Sequence, residues 1–178
     1  MKSWIFCFAL SLLFYGCGGT PLQSAVYNQD FTQVKQLAGQ GANLNEPDRH
    51  GNSPLLMAVQ AGNVPIANYL VEKGADINHQ NSDGWTALLY ASYYDNLPVA
   101  KMLVEKGADL DKSNSEGWTP LLYAAYYGRT PIAKLLIKAR ASIDQANKFG
   151  YTPLYYAQQY QFKEIADDLL AHGAKPLY

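Results

Sequence analysis

Apolar positions beyond residue 17 recur with a fixed period. Leu22 and Ala25, Leu55 and Ala58, Leu88 and Ala91, Leu121 and Ala124, Leu154 and Ala157 are pairs three residues apart. That spacing puts both side chains on one face of a helix. A second apolar set follows each of the middle pairs: Ile66, Tyr69, Leu70; Val99, Met102, Leu103; Ile132, Leu135, Leu136. It has the same helical spacing. Between the sets stand Asn63-Val-Pro65, Asn96-Leu-Pro98 and Thr130-Pro131, each placing a proline where a helix opens. Glycines punctuate the pattern at Gly18, Gly51, Gly84, Gly117 and Gly150, 33 residues apart. Two residues after each comes Thr20-Pro, Ser53-Pro, Thr86-Ala, Thr119-Pro or Thr152-Pro. The hydroxyl predicts an N-cap, and a proline directly after it suits the first helical position. Later, Gly41, Gly74, Gly107 and Gly173 predict a left-handed helix end; Arg140 holds the equivalent place. An arginine there is expected to cost about 1 kcal/mol.

The pattern predicts a unit of helix, short loop, helix and projecting turn. Four full copies and a shorter last one fill residues 18–178. One unit cannot bury its apolar face alone, but five stacked units can, as a solenoid.

Gly84-Trp-Thr-Ala-Leu-Leu-Tyr-Ala-Ser92, Gly117-Trp-Thr-Pro-Leu-Leu-Tyr-Ala-Ala125 and Val71-Glu-Lys-Gly-Ala-Asp-Ile-Asn78 carry a resemblance to ankyrin repeats. The resemblance covers residues 18–178 and implies an all-α ankyrin-repeat solenoid of five helix-loop-helix units with projecting β-turns. The histidine usual after the Thr-Pro-Leu triplet is Leu56, Leu89, Leu122 or Tyr155 here. The first copy, from Gln23 to Gln40, is more polar than the others, as an end cap should be.

Residues 1–17 read differently. Lys2 precedes an apolar run from Trp4 to Tyr15, and small residues follow. The run has the length of a signal-peptide core and is short for a bilayer span. Export to a periplasm is expected. Phe14-Tyr-Gly-Cys17 resembles a bacterial lipobox at Gly16 and Cys17 but departs from it at Phe14 and Tyr15. Two outcomes stay open: acylation of Cys17, with anchoring on the inner face of the outer membrane, or ordinary cleavage to a soluble protein. Cys7 and Cys17 are the two cysteines, so loss of the leader leaves at most one thiol and no intrachain disulfide.

Charge narrows the functional classes. Fourteen basic residues face fifteen acidic ones, a net charge of −1, without the basic footprint of a nucleic-acid binder. His50, His79 and His172 lack metal-ligand spacing, and Asp167-Asp168 are adjacent and diverge on a helix. The glycines are repeat punctuation and form no phosphate loop. Neither catalysis nor a cofactor is expected.

The chain is rich in aromatic rings, with 14 tyrosines and 3 tryptophans. Trp85, Trp118 and Tyr151 follow the repeat glycine. Tyr90, Tyr93 and Tyr94 share one helix face, as do Tyr123, Tyr126 and Tyr127, and Tyr156 and Tyr160 continue the set. The resemblance implies that turn tips and first helices line a concave protein-binding surface. The rings are therefore expected to form a solvent-facing strip, the alternative being packing between repeats, to which Tyr90 and Tyr123 are most inclined; Tyr and Trp are the side chains enriched at binding hot spots. Replacing Trp118 and Tyr126 together by alanine is expected to spare the fold and abolish binding. Asp83 and Glu116 at the turn tips are common turn formers that also suit a basic partner.

The expected protein is a monomer when free that binds another periplasmic or envelope protein. By resemblance and compartment, an inhibitor or immunity protein for a peptidoglycan hydrolase or endopeptidase is expected. Two alternatives remain: an accessory factor supporting a periplasmic enzyme, and direct binding of peptidoglycan sugars on the strip. The last needs polar groups converging beside the rings, and Asn52, Gln60 and Gln159 are few and lie at the edge.

Overall fold

The computed structural model describes residues 19–176. The expected leader, its Cys17 and the first repeat glycine, Gly18, lie outside the described residues. Within them are ten helices and no strand. They alternate in length between seven and nine residues: α1 Pro21–Tyr27, α2 Phe31–Gly39, α3 Pro54–Gln60, α4 Val64–Glu72, α5 Ala87–Tyr93, α6 Leu97–Glu105, α7 Pro120–Tyr126, α8 Thr130–Lys138, α9 Pro153–Gln159 and α10 Lys163–Ala171.

Local chemistry sets the helix starts. The hydroxyls of Thr20, Ser53, Thr86, Thr119 and Thr152 each accept a backbone N–H three residues on, at 3.2–3.3 Å. Such caps each contribute about 1 kcal/mol. Asp30, Asn63 and Asn96 cap α2, α4 and α6 in the same way. Arg129 and Phe162 open α8 and α10 without a side-chain cap.

The chain divides into two compact units, the first ending at Ala75 and the second beginning at Asp76. In the first, α1 packs on α2 and α3 on α4, while α1 lies beside α3 and α2 beside α4. Leu22, Val26, Leu55, Ile66 and Leu70 fill this core. In the second unit α5, α7 and α9 form one row and α6, α8 and α10 a second row. Leu88, Leu103, Leu121, Leu136, Leu154 and Leu169 are buried between the rows. Burying each such leucine is worth about 2 kcal/mol. Ala91, Ala124 and Ala157 are wholly buried in the first row, where a larger side chain would hold neighbouring helices apart.

Arg140 has φ +68° and is exposed, while its counterparts Gly41, Gly74, Gly107 and Gly173 have φ between +80° and +93°. A Cβ in that region is strained. Arg140→Gly is therefore expected to raise stability by about 1 kcal/mol, allowing for glycine's greater unfolded-state entropy. Urea denaturation of the variant beside the parent checks it.

Candidate functional site

The second unit carries three projecting turns of one construction. Gly84, Gly117 and Gly150 donate their N–H groups to the carbonyls of Asn81, Asn114 and Asn147 at 2.9 Å, closing each turn. The three asparagines are buried. Each side-chain carbonyl accepts two backbone N–H groups. For Asn114 these come from Glu116 and Trp118, both at 3.0 Å; Asn81 and Asn147 repeat the arrangement. Each side-chain amide then donates to a tyrosine hydroxyl on the following helix: Asn81 to Tyr90 at 3.1 Å, Asn114 to Tyr123 at 2.9 Å, Asn147 to Tyr156 at 2.9 Å. One asparagine thus shapes the turn and ties it to the aromatic row. These asparagines recur every 33 residues in the sequence, a signal of their shared role that the ring pattern alone does not carry.

Successive turns also meet. Ser115 donates its N–H to the carbonyl of Asp83 at 2.9 Å, and Lys148 donates to Glu116 at 3.0 Å. Gly117 has φ +81°, and a Cβ there would stand 3.0 Å from the backbone nitrogen of Lys148. Glycine is required at this position for both reasons.

The rings form two connected rails. In the inner rail Trp85 stacks between Tyr90 and Tyr123, at centroid distances of 4.6 and 5.1 Å. Trp118 stacks between Tyr123 and Tyr156, at 4.9 and 5.1 Å. The outer rail runs Tyr94, Tyr93, Tyr127, Tyr126, Tyr160, each contact edge-to-face at 4.8–5.3 Å. Tyr94, Tyr127 and Tyr160 also lie parallel to Tyr90, Tyr123 and Tyr156 at 6.1–6.3 Å. Aromatic pairs of these geometries contribute about 1 kcal/mol each beyond area burial.

Residues 22–114 and 110–177 match the family described as Ankyrin repeats (3 copies). The chain belongs to the ankyrin-repeat family. No curated protein matches it significantly. Ankyrin repeats form protein–protein interaction modules, and this chain is one. Among the described residues of the ankyrin-repeat protein, no three His, Cys, Asp or Glu side chains gather as metal ligands. No helix there is long and apolar enough to cross a membrane. Leu56, Leu89 and Leu122, in place of the family's usual histidine, are buried, so apolar packing does the work there.

The strip does not face water throughout. Tyr123 and Tyr156 are only 7% exposed, which corrects the expectation for those two rings. Each is held from one side by its asparagine and from the other by Trp118. Trp85, Trp118, Tyr90, Tyr93 and Tyr126 are half-buried. The open rings are Tyr94, Tyr127 and Tyr160, at 54%, 39% and 47% exposure, with Tyr151 at the last turn. Their backing makes them rigid: Tyr93 fills the gap between Tyr94 and Tyr127, and Tyr126 the gap between Tyr127 and Tyr160. Since Trp118 and Tyr126 belong to the supporting stack, their joint removal would disturb the fold, contrary to the sequence expectation.

The hydroxyls respond to this packing. Burial pushes the Tyr123 and Tyr156 phenols up from the ordinary tyrosine value, against the opposing effect of the asparagine donors. Tyr127 is raised by burial and by its hydroxyl bond to Tyr93; Tyr160 is raised first by its hydroxyl bond to Tyr126. A folded value above the unfolded one means that the native chain keeps protons which the unfolded chain has released. The resulting stability is full below pH about 10, the unfolded tyrosine value, and is lost as pH rises through the folded value. In an alkaline titration, the last phenolate absorbance is expected to appear together with loss of helical circular dichroism. Tyr123→Phe should shrink that last step, leaving the part that comes from Tyr156, Tyr127 and Tyr160.

Proposed function

We propose that this ankyrin-repeat protein is an exported module that docks a folded periplasmic protein on the ridge of Tyr94, Tyr127 and Tyr160 and restrains its activity. One observation carries the reading: three open tyrosines recur every 33 residues, each locked by rings beneath and beside it. Rigid aromatic side chains with few rotatable bonds lose little entropy on binding, which is why they serve as interface anchors. Export rests on Lys2 and the apolar run from Trp4 to Tyr15. Within that compartment, a peptidoglycan hydrolase or endopeptidase that must not act on the producing cell is the partner we favour. Support of an enzyme would use the same ridge and differs only in the sign of the effect. Sugar binding fits less well. Asn52 is buried and bonded to Asp48 at 3.2 Å, and Gln60 turns to Asn52 at 3.5 Å, so both amides are already engaged within the first unit.

The test is capture of partners from envelope extract, then affinity measurement with the purified partner. Tyr127→Ala with Tyr160→Ala is expected to weaken binding at least a hundredfold, the loss of two hot-spot anchors, while unfolding stays cooperative. Unchanged affinity rejects the ridge. An assay of the captured enzyme with and without the protein separates restraint from support.

A further inference from the structure

We infer that the partner presents a cationic segment, rich in arginine or lysine, that crosses the tyrosine ridge against the acidic turns of the second unit. This rests on the ridge being the docking face. The chain is almost neutral overall, but its charge is sorted. The three segments that run into the turns, residues 76–85, 109–118 and 142–151, hold six carboxylates and two lysines, Lys112 and Lys148. At the tips, Asp83 and Glu116 are exposed, and neither has an ion-pair partner among the described residues. The Glu116 carboxylate is near enough to the rings that its charge helps to keep the Tyr123 phenol protonated, after the larger effect of burial. Basic residues gather instead on the second row of helices and just after them: Lys101 and Lys106 at α6, Lys134, Lys138 and Arg140 at α8, and Lys163 on α10.

The ridge already holds one cation. The Arg129 guanidinium carbon lies 5.7 Å from the centroid of Tyr127, with its Nη1 3.5 Å from the carboxylate of Asp95. A guanidinium over a tyrosine, with a carboxylate behind it, is therefore a compatible arrangement on this surface. The residue equivalent to Arg129 is Asn96 one repeat earlier, and its side chain is used to cap α6. Among the described residues no cation stands over Tyr94, the most open ring of the three. A partner's guanidinium or ammonium has a ring to cover there, and the exposed Asp83 and Glu116 add negative charge on the turns of the same unit. Charge of this kind also steers encounter and rejects acidic partners.

Two peptides test this: blocked peptides of alternating arginine and glycine, or of citrulline and glycine, which keeps the shape but not the charge. Each is titrated into the protein, followed by the emission of Trp85 and Trp118 in a Trp4→Phe background. The arginine peptide is expected to bind at least tenfold tighter, with the preference shrinking as salt is added. Asp83→Asn with Glu116→Gln should bring the arginine peptide down to the citrulline level. Equal binding of the two peptides, no binding of the arginine peptide, or an undiminished preference in the charge variant overturns the inference. Tyr127→Ala with Tyr160→Ala should weaken both peptides. If it weakens neither, the ridge itself is rejected, an outcome distinct from failure of the charge variant.

Discussion

Asn114→Ala is expected to destabilise the protein by about 3 kcal/mol, because three hydrogen bonds end on one buried side chain. The variant leaves the N–H groups of Glu116 and Trp118 and the hydroxyl of Tyr123 without that partner. Desolvated groups that lose a bond cost more than the bond itself contributed. Asn114→Asp provides the control. Its carboxylate keeps both backbone N–H bonds, and the Tyr123 hydroxyl can turn to donate. The first unit shows that a carboxylate works at the equivalent place: Asp48 accepts the N–H groups of His50 and Asn52, both at 2.8 Å. The aspartate variant is therefore expected to cost about 1 kcal/mol or less. Urea denaturation of the two variants beside the parent measures both. Equal losses would mean that the amide's donation to Tyr123, and not the shaping of the turn, is the important part.

Trp118→Ala is expected to cost about 3 kcal/mol, at the low end for large aromatic truncations because the ring is half-buried. The indole stacks between Tyr123 and Tyr156 and takes Tyr126 edge-on at 5.2 Å. Its loss opens the inner rail and lets the outer rings tilt. Tyr127→Ala, which removes an open ring, should cost about 1 kcal/mol by the same measurement. Binding should follow a different order. Tyr127→Ala loses a contact directly, whereas Trp118→Ala acts through the rings it supports. A Trp118 variant as stable as the parent would show that the rails are neighbours without mutual support.

Much of this fold was legible one residue at a time. Thr86 and Thr119 cap their helices because a hydroxyl reaches an N–H three residues on. Arg140 takes the left-handed place because the chain must turn there whatever side chain it carries. Family membership followed from the same register. The ring positions were equally plain, and helical spacing correctly put Tyr90, Tyr93 and Tyr94 on one face.

Local rules set period, helix ends and turns, since each depends on atoms within about one helical turn. Which rings stay open depends on contacts between residues of successive repeats, and only stacking the repeats brings those together. Trp118 meets Tyr156, and Lys148 meets Glu116, solely because one repeat lies on the next. That stacking made Tyr123 and Tyr156 part of the support and left Tyr94, Tyr127 and Tyr160 at the surface. Helical spacing names the face a side chain occupies; the neighbouring repeat decides whether that face is covered.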